Sequence, residues 1–288
     1  MAILREIKEN LKAISNIEMI TRSYQEIANL RMNKIRRTVL NNRGFIEELS
    51  RVYTLAKKAY FFLLKERKGM KKEESFIKRK KEGVAVFLSC NEHFYGTLIL
   101  DIWRELLNYL VENKTDLVIV GKIGRYLLET TNAERKFFYF DLDDDNPEKE
   151  EIKNIIEFIK NYEKIIIFHG RFHTVLSQEV IQSNISGGIT LEEELGEVKS
   201  YLFEPLPEAV LEFFETELMS AFFNQAVLEH RLSRYATRMI AMYQATENAK
   251  EIKEKFEIKQ KKLERQLLNK KQIEVFSGFQ LWSPKNKI

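Results

Sequence analysis

The sequence predicts an α/β protein in which long N- and C-terminal helices pair as an antiparallel coiled coil and a mostly parallel, doubly wound α/β domain is inserted between them. Three observations predict it. No glycine or proline occurs from Met1 to Arg43, and none from Glu208 to Ser277. In the C-terminal stretch, one seam repeats every seven residues: Leu228, Tyr235, Met242, Ala249, Phe256, Leu263. Between the two stretches, short apolar runs bounded by glycine or asparagine alternate with helix-like segments. A seven-residue repeat implies a left-handed supercoil with a partner helix. Alternating strands and helices imply a mainly parallel sheet.

The elements follow in order. Ile7, Leu11, Ile14, Ile17, Ile20, Tyr24, Ile27 and Leu30 recur at spacings of three and four, a helical stripe. The pattern continues past Gly44, a candidate bend, to about Glu66, so residues 1–66 form one helical arm. From Lys65 to Lys81 nine Lys/Arg stand against three Glu, which reads as a solvated loop. Residues 82–206 form the inserted domain. "VAVFLSC", "DLVIV", "KFFYFDL" and "KIIIFHG" are its strands, with a helix over roughly Tyr95–Glu112 and another after Pro147. A helix-like or extended segment leads to the turn at Ser186–Gly188, and "SYLFEPLP" reads as a last strand ended by its prolines. Residues 207–280 form the second arm. A helix over Glu208–Ser277 would be about 105 Å long at 1.5 Å per residue, too long for a compact domain to cover. Its second seam, Leu232, Met239, Thr246, Lys253, Gln260, Leu267, turns polar midway.

Composition excludes several classes. The net charge of +4 is too small, and too little clustered, to point to a nucleic-acid partner. One cysteine, Cys90, rules out an internal disulfide. No 18-residue apolar run is present, so no transmembrane segment is expected. "MAILREIKEN" does not read as a signal peptide, so a cytoplasmic protein is expected.

Each candidate for chemistry has a simpler reading. "VGKIGR" follows a strand but lacks the glycine spacing and Lys-Ser/Thr ending of a phosphate loop, and reads as a tight strand-to-helix turn. His169 and His173 are four apart, yet a strand and Gly170 prevent a shared helical face and no third zinc ligand accompanies them. Cys90 has no base beside it and reads as a buried thiol. "DLDDDNPEKEE" lacks the glycine and terminal glutamate of a calcium loop and reads as a solvated acidic turn. No catalytic, cofactor or metal site is expected, which points to a structural or mechanical role.

Three segments resemble the gamma subunit of F-type ATP synthases. Ile20, Thr21, Arg22, Ile27, Ala28 and Lys34 fit its N-terminal Ile-Thr-Lys-Ala-Met segment. Tyr201, Phe203, Glu204 and Pro205 fit its aromatic-aliphatic-aromatic-Glu-Pro motif. Arg238, Met239, Ala241, Met242, Ala245, Thr246, Asn248 and Ala249 fit its Arg-Met-x-Ala-Met-x-x-Ala-Thr-x-Asn-Ala segment, the most specific of the three. The resemblance implies a rotor shaft around a Rossmann-like domain, turning inside a hexameric ring of alpha- and beta-type ATPase subunits that bind the nucleotide and magnesium. It implies ring contacts at Thr21, Arg22, Tyr24, Arg265, Gln266 and Lys270. It places Tyr201 and Glu204 in a foot that meets a c-ring, with an epsilon-type subunit as a further partner and a peripheral position at the inner face of the cell membrane. Tyr235, Met239, Met242, Ala249, Phe256 and Leu263 belong to the coiled-coil seam.

The chain also departs from that family. "SCNEHFYGTLI" replaces the glycine-rich Ser-Asp-Arg-Gly-Leu-Cys-Gly-Gly-Phe-Asn pattern, keeping Ser89 and Gly96. Asn269, Lys270 and Gln272 stand where an Ile-Thr-x-Glu run is usual. Such departures fit a specialised F-type-like motor not coupled to proton translocation. The alternatives are a coiled-coil scaffold that docks proteins or anionic lipid through Lys71, Lys72, Lys80 and Lys81, and a nucleotide-binding enzyme built on the α/β domain.

Overall fold

The computed structural model describes residues 2–66, 81–131, 136–186 and 206–282. In chain order the elements are α1 (Ala2–Glu66), β1 (Lys81–Leu88), α2 (Leu98–Glu112), β2 (Asp116–Val120), α3 (Lys122–Thr130), β3 (Phe137–Phe140), α4 (Lys149–Ile159), β4 (Tyr162–Phe172), β5 (Gln178–Asn184) and α5 (Pro207–Trp282). They group into two compact units, Met1–Ile27 with Met239–Ile288, and Ala28–Arg238. Each long helix contributes to both units.

The first unit is a helix pair. Leu4, Ile7, Leu11, Ile14, Glu18, Thr21 and Gln25 of α1 are half-buried, at alternating spacings of three and four. Opposite them on α5, Ala249 is buried and Lys253, Phe256, Gln260, Leu263 and Leu267 are half-buried. Thr246 Oγ1 donates to Thr21 Oγ1 at 2.8 Å, and Lys253 Nζ lies 3.0 Å from Glu18 Oε2. These two ties run in opposite chain directions, so the helices are antiparallel.

The pairing corrects the apolar stripe read from the sequence. Ile7, Leu11 and Ile14 face the partner, but Ile17, Ile20, Tyr24, Ile27 and Leu30 are exposed. The physical reason lies in the spacing. From Ile14 to Leu30 the apolar steps are three, three, four, three and three. Their mean falls short of the 3.5 residues per step that a seven-residue repeat keeps. The apolar line therefore drifts around the helix, while the paired face holds the repeat. Gly44 does not break α1, and a side chain there would meet nothing within 4 Å.

The second unit holds a five-stranded sheet in the order β3-β2-β1-β4-β5. β1 pairs in parallel with β2 and with β4, and β2 with β3. β5 is antiparallel to β4, so the segment that reads from sequence as helix-like or extended is a strand. Alternate strand residues serve opposite faces, as a period of two requires. Val84, Val86, Val118, Ile165 and Ile167 pack with α4 and with Met219, Phe223, Ala226 and Val227 of α5. Ala85, Phe87, Leu117, Ile119 and Phe168 pack with Ile102, Trp103 and Leu106 of α2. The strand read over "SYLFEPLP" falls mostly on residues 200–205, outside those described, and Pro207 opens α5 instead of ending a strand. Proline suits a first helical turn, where its missing N–H has no partner to lose. Lys71, Lys72 and Lys80 of the basic segment also lie outside the described residues, and Lys81 opens β1.

Candidate functional site

Open α/β sheets bind ligands beyond the carboxyl ends of their strands, where the strand order reverses. Here that point lies between β1 and β4, and side chains of α5 fill it. His230 Nδ1 accepts the Gly170 N–H at 3.2 Å, and His230 Nε2 lies 3.1 Å from the Ser89 carbonyl oxygen. The imidazole therefore donates from Nε2 and is neutral. Burial holds its pKa well below the usual value, and Arg234 and His169 push it the same way. Burial also lowers His169 to about 4. A cavity of about 10 Å³ remains beside Ser89, Gly121, Asp144, His230 and Arg234, at the lower limit for one water.

The backbone donors that could cradle a phosphate at the start of α3 are already engaged. Gly121 N–H bonds Phe140 O at 3.0 Å, Lys122 N–H bonds Asn91 Oδ1 at 2.8 Å, and Ile123 N–H bonds Cys90 O at 2.9 Å. Gly121 has φ 97, and a side chain there would lie 2.8 Å from Cys90 N. The glycines of "VGKIGR" thus serve a close chain crossing. Cys90 is buried, and desolvation pushes its thiol up to about 12, against the opposing pull of Arg234. His173 is paired with Glu179 at 3.3 Å. Among the described residues no cluster of His, Cys, Asp or Glu could hold a metal ion.

The acidic turn is not simply solvated, which corrects the reading from sequence. Asp143 Oδ1 accepts the N–H groups of Asp145 and Asn146 at 2.8 and 2.6 Å. Asp144 is buried and its Oδ2 accepts Asn91 N–H and Glu92 N–H at 2.9 and 2.8 Å. Arg234 donates to Asp144 Oδ1 and to its carbonyl oxygen. Asp145 Oδ1 accepts Arg31 Nη1 of α1 at 2.5 Å and Tyr235 Oη of α5 at 2.6 Å. Burial alone would lower the Arg234 pKa, but the Asp144 carboxylate outweighs it and the guanidinium is raised. Arg238 lies 4.0 Å over the Tyr95 ring and bonds Glu92 Oε2 and the His93 carbonyl, each at 2.8 Å. The helical spacing of His230, Arg234 and Arg238, four residues apart, is the signal available in the sequence; the positions of their partners are not.

The residues assigned to partner contact are placed as follows. Thr21 is half-buried and its Oγ1 accepts a hydrogen bond from Thr246 Oγ1 of α5. Arg22 is exposed and lies 3.5 Å from Glu26, and Tyr24 is exposed. Arg265, Gln266 and Lys270 are exposed on α5. Tyr201 and Glu204 lie outside the described residues. Of the seam residues, Tyr235, Met242 and Ala249 are buried, and Met239, Phe256 and Leu263 are half-buried. Beyond Leu267 every side chain described on α5 is exposed, including Leu268, Ile273, Val275, Phe276 and Phe279.

A family model described as ATP synthase matches residues 3–280. The chain is 23% identical over 290 residues to an ATP synthase gamma chain of Rickettsia canadensis, covering 96% of this chain and 99% of the relative. It is 26% identical over 266 residues to an ATP synthase gamma chain of Haemophilus ducreyi, covering 86% and 88%. In fold it is similar to a chain of the Euglena gracilis mitochondrial ATP synthase (OSCP/F1/c-ring, rotational state 3), with a TM-score of 0.69, 17% identity, and coverage of 100% of this chain and 97% of that one. A chain of the rotor of the same synthase in rotational state 1 gives a TM-score of 0.64 at 19% identity, covering 93% and 99%.

Proposed function

The chain belongs to the ATP synthase gamma family, and from that premise we propose that it is the central-stalk rotor of a rotary ATPase. The observation that carries the proposal is the family match over residues 3–280. The rotor turns inside a ring of alpha- and beta-type subunits, which hold the nucleotide and magnesium and perform the chemistry. This chain is non-catalytic. The filled strand-end crevice supports that reading, as do the engaged donors of α3. They leave no room for a nucleotide there and no free donor among the N–H groups of Gly121, Lys122 and Ile123.

Exposed apolar side chains support a surrounding partner. Ile17, Ile20, Tyr24 and Ile27 of α1 and Ile273, Phe276 and Phe279 of α5 are all exposed in the helix-pair unit. A lone helix pair gains nothing from such residues, whereas a ring that encloses it buries them. Thr21, Arg22, Tyr24, Arg265, Gln266 and Lys270 are the proposed ring contacts. Tyr201 and Glu204 are assigned to a c-ring contact on the resemblance alone, with a peripheral position at the membrane. No helix among the described residues is long and apolar enough to cross a membrane.

Co-expression of the chain with the alpha- and beta-type subunits tests the proposal. A ring should co-purify with the chain, hydrolyse ATP, and rotate a probe fixed to the chain. A ring that forms and hydrolyses ATP without retaining the chain would overturn it.

A further inference from the structure

We propose that the helix pair of the first unit opens in the free chain while the sheet unit stays folded, and that it closes when a partner covers its outer face. That the ring is this partner rests on the rotor reading; the opening does not.

Over part of its length the helix pair is polar inside and apolar outside. Burial along α1 repeats at steps of three and four from Leu4 to Gln25, and continues through Ala28, Met32, Ile35 and Val39. Those last four residues belong to the second unit and are buried. In the first unit the same spacing reaches only half-buried side chains, and three in succession are polar: Glu18, Thr21 and Gln25. Ile17, Ile20, Tyr24 and Ile27 stand one residue before Glu18, Thr21, Gln25 and Ala28, at the same spacing of three, four and three. They are 52, 51, 40 and 43% exposed. One residue turns a helix by about 100°, so a complete apolar stripe lies to the side of the polar one. On α5 the paired face is interrupted at seven-residue intervals by Thr246, Lys253 and Gln260.

Helices in proteins draw most of their stability from a buried apolar face, and this stretch turns that face to solvent. Two polar ties hold it instead. Thr246 Oγ1 donates to Thr21 Oγ1 at 2.8 Å. Each hydroxyl also reaches a carbonyl of its own helix, Met242 for Thr246 and Ile17 for Thr21, so opening strands neither. The Lys253 and Glu18 side chains, 3.0 Å apart, are 33% and 22% exposed, and water takes over such a pair at little cost. Segments with few buried apolar contacts open locally, independently of the rest of a fold. In α1 the division between the units falls at Ile27–Ala28, where the buried apolar positions begin, so the opening ends there. A partner that buries Ile17, Ile20, Tyr24 and Ile27 binds the closed pair and draws the equilibrium towards it by mass action. The polar inner face thus makes the closed helix pair a property of the assembled chain.

Hydrogen exchange tests this on the full chain, dilute enough to be monomeric, and on the chain held by its ring. In the free chain, the amides of residues 7–25 and 242–263 should exchange about tenfold faster, or more, than those of residues 218–235. Assembly should slow them by about tenfold or more. Glu18→Leu combined with Lys253→Leu makes the inner face apolar and should slow exchange of the free chain by about tenfold. Thr21→Val combined with Thr246→Val changes no charge and should act in the same direction. Exchange in the free chain as slow as that of residues 218–235 overturns the proposal, and so does exchange that neither pair of substitutions slows. If no ring retains the chain, the rotor reading fails, while the free-chain measurements still settle the opening.

Discussion

At the residue scale, the buried polar groups around α5 carry the sharpest consequences. Arg234→Met leaves Asp144 buried without its guanidinium, and removing one partner of a buried pair costs about 3–5 kcal/mol. Urea unfolding followed by the fluorescence of Trp103, buried in the α2 core, should show the loss. The two buried histidines set a pH dependence. Their folded pKa lies below the unfolded value of 6.5, at about 4 for His169 and lower than 6.5 for His230. Below pH 6.5 the unfolded chain binds protons that the native one does not, so stability is full above that pH and falls as the pH drops towards 4. The loss approaches about 1.4 kcal/mol per pH unit for each histidine. Denaturation midpoints at pH 7.5 and pH 5 measure it, and equal midpoints would show that the imidazoles are not held neutral. Three consecutive aspartates look alike in sequence, yet Asp143, Asp144 and Asp145 have different partners. Charge pattern reveals that a turn is acidic; only the folded chain brings Arg31, Arg234 and Tyr235 to it.

At the element scale, close packing makes two substitutions informative. A side-chain carbon on Gly124 would lie 2.8 Å from Ile119 Cγ2, 2.9 Å from Ser89 Cβ and 3.0 Å from Phe87 Cε1. Gly124→Ala should therefore push α3 off the sheet and cost about 1–3 kcal/mol, readable as a lower thermal midpoint. In the helix pair, Ala249 is 5% exposed, and its small side chain permits close approach of α1. Ala249→Trp should cost a comparable amount, about 1–3 kcal/mol, and weaken assembly with the ring. Normal assembly and normal ATP turnover of that variant would count against the packing account. The strands are legible because buried runs such as "DLVIV" end at glycine. The paired face of α1 is legible only to Ile14. Beyond it, Glu18, Thr21 and Gln25 occupy the inner face, and an apolar count cannot find polar seam positions.

At the scale of the whole molecule, the exposed apolar residues of the helix-pair unit predict behaviour outside the complex. The isolated chain should self-associate, and Ile273→Ser with Phe276→Ser should reduce light scattering while weakening retention by the ring. Scattering that the substitutions leave unchanged would show that this surface does not drive association.

The sequence by itself determined the two long arms, the four strands β1 to β4 and the resemblance to the family, because helix breakers, seven-residue repeats and apolar runs are local properties of a chain. The tertiary structure decided which face of α1 pairs, what fills the strand-end crevice, and which aspartate meets which cation. Those outcomes depend on residues far apart in the chain, such as Asp144 and Arg234, whose interaction becomes strong only when folding removes both from water.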